Sequence, residues 1–127
     1  MNRIVLGFST LGVILCLIIS CKKDDPEPKE NQAPTVNVLK PEDGVSYDIV
    51  GSDTTFAIEV NASDPDGSIA KVEFYIDGSK IGEDISSPYS FEYTFLPNTG
   101  YTIKVIATDN TGKSTTKEFI EVVAIPY

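Results

Sequence analysis

Two hydrophobic patterns divide the chain. Positions 4–19 form an apolar stretch, preceded by Arg3 and followed by Ser20 and Cys21. A charged start, an apolar centre and a small residue before the break is the layout of a secretory signal peptide. The stretch falls short of the roughly 20 residues that cross a bilayer. From Thr35 onward, apolar and polar residues alternate with period two, which marks half-buried strands. Positions 35–39 read as a first strand, stopped by Pro41 and Gly44, and 45–50 as a short edge piece. Positions 54–62 place Phe56, Ile58, Val60 and Ala62 on one face. Positions 69–77 turn Val72, Phe74 and Ile76 inward and Lys71, Glu73 and Tyr75 outward. Asp77-Gly78 is a strong hairpin signal and leads into a short strand at 80–83. Tyr89, Phe91, Tyr93 and Phe95 share a face, as do Tyr101, Ile103, Val105 and Ala107. A last strand spans 113–123, where Phe119, Ile120 and Val122 do not keep one parity and predict a bulge.

Seven to eight short antiparallel strands, with turn signals every eight to twelve residues, predict an all-β protein, an immunoglobulin-like β-sandwich. Tyr101 opens the penultimate strand after Leu96-Pro97-Asn98-Thr99-Gly100, where a tyrosine corner belongs; its hydroxyl is expected to bond to the backbone upstream. That pentapeptide fits the letters of a sortase signal, but it lies between two strands. With no tryptophan and no cysteine pair in the strands, the domain is not antibody-like.

Three stretches carry a resemblance. They are Asp64-Pro65-Asp66-Gly67-Ser68-Ile69-Ala70-Lys71-Val72-Glu73-Phe74-Tyr75-Ile76-Asp77-Gly78, Ser87-Pro88-Tyr89-Ser90-Phe91 and Ala107-Thr108-Asp109-Asn110-Thr111-Gly112. Together they resemble the bacterial Ig-like domains appended to secreted glycan-active enzymes and adhesins. The resemblance implies a spacer, adhesive or accessory module, and no enzymatic role. Ile18-Ile19-Ser20-Cys21 resembles the lipobox of bacterial lipoproteins. It implies cleavage before Cys21 and fatty acylation (palmitate) of its sulfur. Cys21-Lys22-Lys23-Asp24-Asp25 resembles the surface-export signal of Bacteroidetes lipoproteins and implies the outer face of the outer membrane. The expected organisation is a signal peptide at 1–20, a lipidated disordered tether at 21–33 and the sandwich at 34–125. The tether composition, charged residues and proline, cannot bury apolar surface.

Charge narrows the partners. Nineteen acidic residues face ten basic ones, a net charge of −9. Positions 1–20 hold one base and no acid, so cleavage leaves nine bases against nineteen acids, a net of −10. Nucleic acid is an unsuitable partner for such a surface. The chain has no histidine, which removes the usual proton shuttle and the commonest transition-metal ligand. Cys16 leaves with the signal peptide and lipidation consumes Cys21, so no disulfide is expected. Paired carboxylates in an apolar setting, as general acid–base work requires, are not evident. The chain is expected not to be an enzyme.

Four sets of residues stand out. Asp64, Asp66, Asp109 and Asn110 fall in two loops that emerge at the tether end of such a sandwich. Their oxygens suit calcium, and their spacing equally suits turns that bond their own backbone. Tyr75 and Ile106 point outward from neighbouring strands and form a small apolar patch for a partner, flanked by Lys71, Glu73 and Lys104, or a cross-strand packing pair. Asp53-Thr54-Thr55 resembles a Bacteroidetes O-glycosylation motif, with Thr54 as acceptor. Asn61-Ala62-Ser63 fits an N-glycosylation acceptor. The expected function is a lipid-anchored, surface-exposed recognition or adhesion module for glycan or protein. The alternative is a structural accessory subunit of an outer-membrane complex, such as one for glycan uptake.

Overall fold

The structure, a computed structural model, describes residues 26–43, 52–97 and 99–120. Among the described residues, seven strands divide between two antiparallel sheets. β1 (Thr35–Lys40), β2 (Thr54–Ser63) and β5 (Tyr89–Phe95) form one sheet in the order β1-β2-β5. β3 (Ile69–Ile76), β4 (Ser79–Asp84), β6 (Thr102–Asp109) and β7 (Ser114–Ile120) form the other in the order β4-β3-β6-β7. The predicted signal peptide, the edge piece at 45–50 and the end of the last strand lie outside the described residues.

Parity decides the core. Ile58, Val72, Phe74, Phe95, Ile103, Val105 and Ala107 are fully buried between the sheets. Each large side chain among them stabilises the fold by about 1.5–3 kcal/mol through removal of its surface from water. Asp77 and Gly78 both take positive φ, 48° and 81°, as the two-residue turn of the β3–β4 hairpin requires. Ladder slips occur at Val38/Lys40 in β1, at Ile69/Lys71 where β3 meets β6, and at Phe74/Tyr75 where β3 meets β4. The bulge predicted near Phe119 is not present among the described residues. β7 pairs with β6 without slip from Ser114 to Ile120, with Phe119 opposite Ile103 and buried.

One open side of the sandwich is closed by a glycine. A Cβ on Gly82 would fall 2.0 Å from Cε2 of Phe91, so the Phe91 ring lies directly on the β4 backbone. The chain then crosses from β4 to β5. Asp84 controls that crossing, accepting the Ser86 amide on Oδ1 at 3.1 Å and the Ser90 amide on Oδ2 at 3.0 Å. These bonds, Ser90's first, hold the Asp84 carboxyl below its ordinary pKa.

Candidate functional site

The β2–β3 loop and the β6–β7 turn meet at the end where the N-terminal segment enters. Asp64, Asp66, Asp109 and Asn110 do come together there. Their oxygens, however, face main-chain and side-chain donors. Asp109 is 1% exposed at the end of β6. Its Oδ1 accepts the Thr111 amide and hydroxyl, each at 2.8 Å, and the Lys113 amide at 2.9 Å. Its Oδ2 accepts Nδ2 of Asn31 at 2.8 Å. Burial pushes the Asp109 pKa up, but the donors from Asn31, Thr111 and Lys113 outweigh it and bring the value to about 2. Asn110 Oδ1 accepts the Ser68 amide at 3.1 Å, and Asp66 accepts the Gln32 amide at 3.0 Å on Oδ2.

One oxygen stands apart. Asp64 Oδ1 accepts the Asp66 amide at 3.2 Å, an Asx-type turn. Its Oδ2 is buried without a hydrogen-bond partner, the one such side-chain atom among the described residues. A Cβ on Gly67 would lie 2.5 Å from this oxygen and 2.5 Å from Asn110 Oδ1, so the two acceptors flank the bare face of that glycine. Among the described residues no three acidic, cysteine or histidine side chains group as a metal cage. The loops converge as the sequence predicts, but turn-forming donors occupy most of the oxygens calcium would need.

The N-terminal segment is part of this end. The domain was expected to start at Pro34, yet Asn31 and Gln32 already bond to it. Lys113 Nζ donates to the Asn31 carbonyl, and the Thr115 hydroxyl donates to the Pro34 carbonyl. The opposite end closes differently. The Tyr101 hydroxyl accepts the Leu96 amide at 2.8 Å, which is the predicted tyrosine corner. Phe56 stacks on Phe95 with centroids 4.3 Å apart, and Tyr93 and Tyr101 meet Phe95 edge-on at 4.9 and 5.1 Å. Burial raises the Tyr93 pKa.

Tyr75 and Ile106 point outward on neighbouring strands, diagonal to each other and flanked by the charged residues the sequence places beside them. The register sets Tyr75 opposite Lys104 and Ile106 opposite Glu73. Lys104 Nζ lies 4.7 Å from the Tyr75 ring centroid and covers it, a cation–π contact. Glu73 is held by Lys80 at 2.6 Å and Lys71 at 3.1 Å, and Lys80 also reaches Glu83 at 2.6 Å. The bond to Lys80 leads the causes that keep the Glu73 carboxyl below its ordinary pKa. Parity revealed the side on which Tyr75 and Ile106 lie. It also placed Glu73 and Lys104 beside them, and the ladder makes these two the direct cross-strand partners. Thr54 opens β2 exposed, its hydroxyl donating to the Ser52 carbonyl at 3.3 Å. Asn61 is exposed in mid-strand.

The two-sheet arrangement and the tyrosine corner define an immunoglobulin-like β-sandwich. Residues 34–105 match the bacterial Ig domain family, and the chain belongs to it. Among solved structures it is similar to the fibronectin(III)-like modules of Clostridium thermocellum CbhA, with 29% identity and a TM-score of 0.62. The match covers 74% of this chain and 47% of that one, so the chain spans about half its length. A structure of carbohydrate-binding modules from the β-sandwich superfamily is 30% identical over 75% of this chain and 36% of that one, TM-score 0.55. The PKD1 domain of Vibrio anguillarum Epp shares the fold at 19% identity, over 76% of this chain and all of that domain, TM-score 0.52. No curated protein matches the chain.

Proposed function

We propose that this protein is a lipid-anchored, non-catalytic binding or adhesion module of the bacterial outer membrane, displayed at the cell surface. The observation that carries the reading is the junction of two features in one chain. A leader ending in Ile18-Ile19-Ser20-Cys21 is followed by a short charged segment and then by a bacterial Ig domain at 34–105. Acylation of Cys21 would hold the module at the envelope, and the charged tether would set it off the lipid surface. Ig-like sandwiches serve as binding scaffolds, and similarity to a carbohydrate-binding-module structure favours a glycan as the partner over nucleic acid. The net charge of −9 supports the same exclusion.

Asn31 and Gln32 engage Asp109 and Asp66 at the tether end, and the outer sheet faces offer a broader surface for a partner. The β4-β3-β6-β7 face offers a ring, hydroxyls and balanced charge: Tyr75 and Lys104 with Thr108, Thr116 and Glu118. Mass spectrometry of the native protein should find an acylated N-terminal peptide starting at Cys21. The same protein on a glycan array should bind a defined set of sugars, and Tyr75→Ser should abolish that binding. An unprocessed chain starting at Met1 would overturn the location. An array silent for the intact protein, with copurification of a membrane complex, would replace recognition by the accessory-subunit role.

Asp64 Oδ2 keeps the calcium expectation testable, since a buried carboxylate oxygen without a donor is costly. A cation seated there would raise Tm at millimolar calcium, and Asp64→Asn would remove the rise. An unchanged Tm leaves turn formation as the role of these carboxylates. Thr54 is the residue at which O-linked glycan should be sought in the same mass spectra.

A further inference from the structure

We propose that residues 31–34 form a strap that carries load from the tether into both sheets at once. Among the described residues, β1 is the edge strand of its sheet and pairs with β2 alone. On that ladder alone, a pull on the N-terminus would reach the domain through one strand. The segment ahead of β1 changes the path. Asn31 donates to Asp109 at the end of β6, and Lys113 in the β6–β7 turn donates back to the Asn31 carbonyl. Thr115 on β7 donates to the Pro34 carbonyl, so both ends of this four-residue segment are tied to the second sheet. Gln32 between them is tied to Asp66 in the loop that joins the two sheets.

Direction matters as well. β1 begins at the tether end, where Thr35 faces Ser63, and runs antiparallel to β2. A pull from the N-terminus therefore acts along the strand axis and loads the β1–β2 hydrogen bonds together, in shear. Asp109 is buried and accepts four hydrogen bonds, which makes it a fixed point for Asn31. The biological use of the strap rests on the tethered reading above. The mechanical property does not, so the two can fail separately.

The test is single-molecule force spectroscopy on the full chain carrying Cys16→Ser and Cys21→Ser, held by peptide handles at its two termini. Asn31→Ala and Thr115→Val should each speed unfolding severalfold at constant force. The same variants should leave the rate unchanged when the upper handle is moved to Ile85→Cys in the exposed β4–β5 loop. That geometry bypasses the strap and still enters at the same end. Unchanged rates in the terminal geometry would overturn the proposal. Equal acceleration in both geometries would also overturn it, because it would mean a general loss of stability and no force path.

Discussion

The two ends of the sandwich are closed by opposite chemistry. At the tether end, carboxylates and amides hold the loops: Asp109 with Asn31, Thr111 and Lys113, Asp66 with Gln32, and Asn110 with Ser68. At the far end, Phe56, Tyr93, Phe95 and Tyr101 pack ring on ring, with one hydroxyl bond to Leu96. The polar end depends on charge state. The aromatic end depends on volume. A small domain without a disulfide can therefore be loosened at either end independently, by acid at one and by a cavity at the other.

The largest effect should come from the aromatic end. Phe95 is fully buried and touches three other rings. Phe95→Ala should cost about 3–5 kcal/mol, the usual loss for a large-to-small change in a core. Urea unfolding at neutral pH would show it as a lower midpoint with unchanged slope. A loss below about 1 kcal/mol would mean that the far end is not load-carrying in the core, and would break the contrast. Tyr101→Phe keeps the ring and removes the hydroxyl, leaving the Leu96 amide without its acceptor. It should cost about 1–3 kcal/mol by the same measurement.

The sequence showed the two ends unequally. Parity placed Phe56, Phe95 and Ile103 on inward faces, and the position of Tyr101 after Gly100 foretold its bond, because both are local regularities. The Asp77-Gly78 turn was legible for the same reason. The tether-end network was not. Asn31 and Asp109 are 78 positions apart, and nothing in a polar segment marks which side chain will cap a distant turn. Composition alone made 21–33 read as a free tether. The candidate loops were found because Asp and Asn suit turns, but the same letters suit calcium. The donors on Asp109 show the turn role of that one carboxylate, and no pattern in the letters foretells them. The Gly82–Phe91 contact was equally hidden, since a missing Cβ leaves no period in the sequence.

Acid should act on the polar end and on the Glu73 ion pairs, and leave the aromatic end untouched. Asp109 titrates near 2 in the folded protein, against an ordinary value of 3.8. Its folded pKa is depressed, so its stabilising share is complete above about pH 4 and disappears as pH falls toward 2. Asp84 and Glu73 are shifted in the same direction and add to the loss over that range. Stability followed by urea titration from pH 6 to pH 2 should therefore decline below about pH 4. Asp109→Asn should flatten part of that decline, whereas Tyr101→Phe should shift the whole curve downward without changing its shape. A mutant at the aromatic end that altered the acid slope would show that the two ends are coupled.

The smallest effect belongs to neither end. Lys104 covers Tyr75 in the middle of the four-stranded sheet, on a half-buried outer face. A cation–π pair at such a site contributes about 0.5–1 kcal/mol. Lys104→Met keeps much of the aliphatic contact and removes the charge, so it should lower stability by no more than that amount. The loss should shrink little with added salt, because the contact is short-range compared with a Debye length of about 8 Å at physiological ionic strength. The same change takes the ammonium away from the Tyr75 ring and leaves an apolar surface there. If this face stacks a sugar, Lys104→Met should strengthen glycan binding while it weakens the fold. If the ammonium itself holds an acidic partner, binding should fall with stability. Opposite signs in the two measurements would thus assign the ring, and equal signs the charge, as the element that a partner reads.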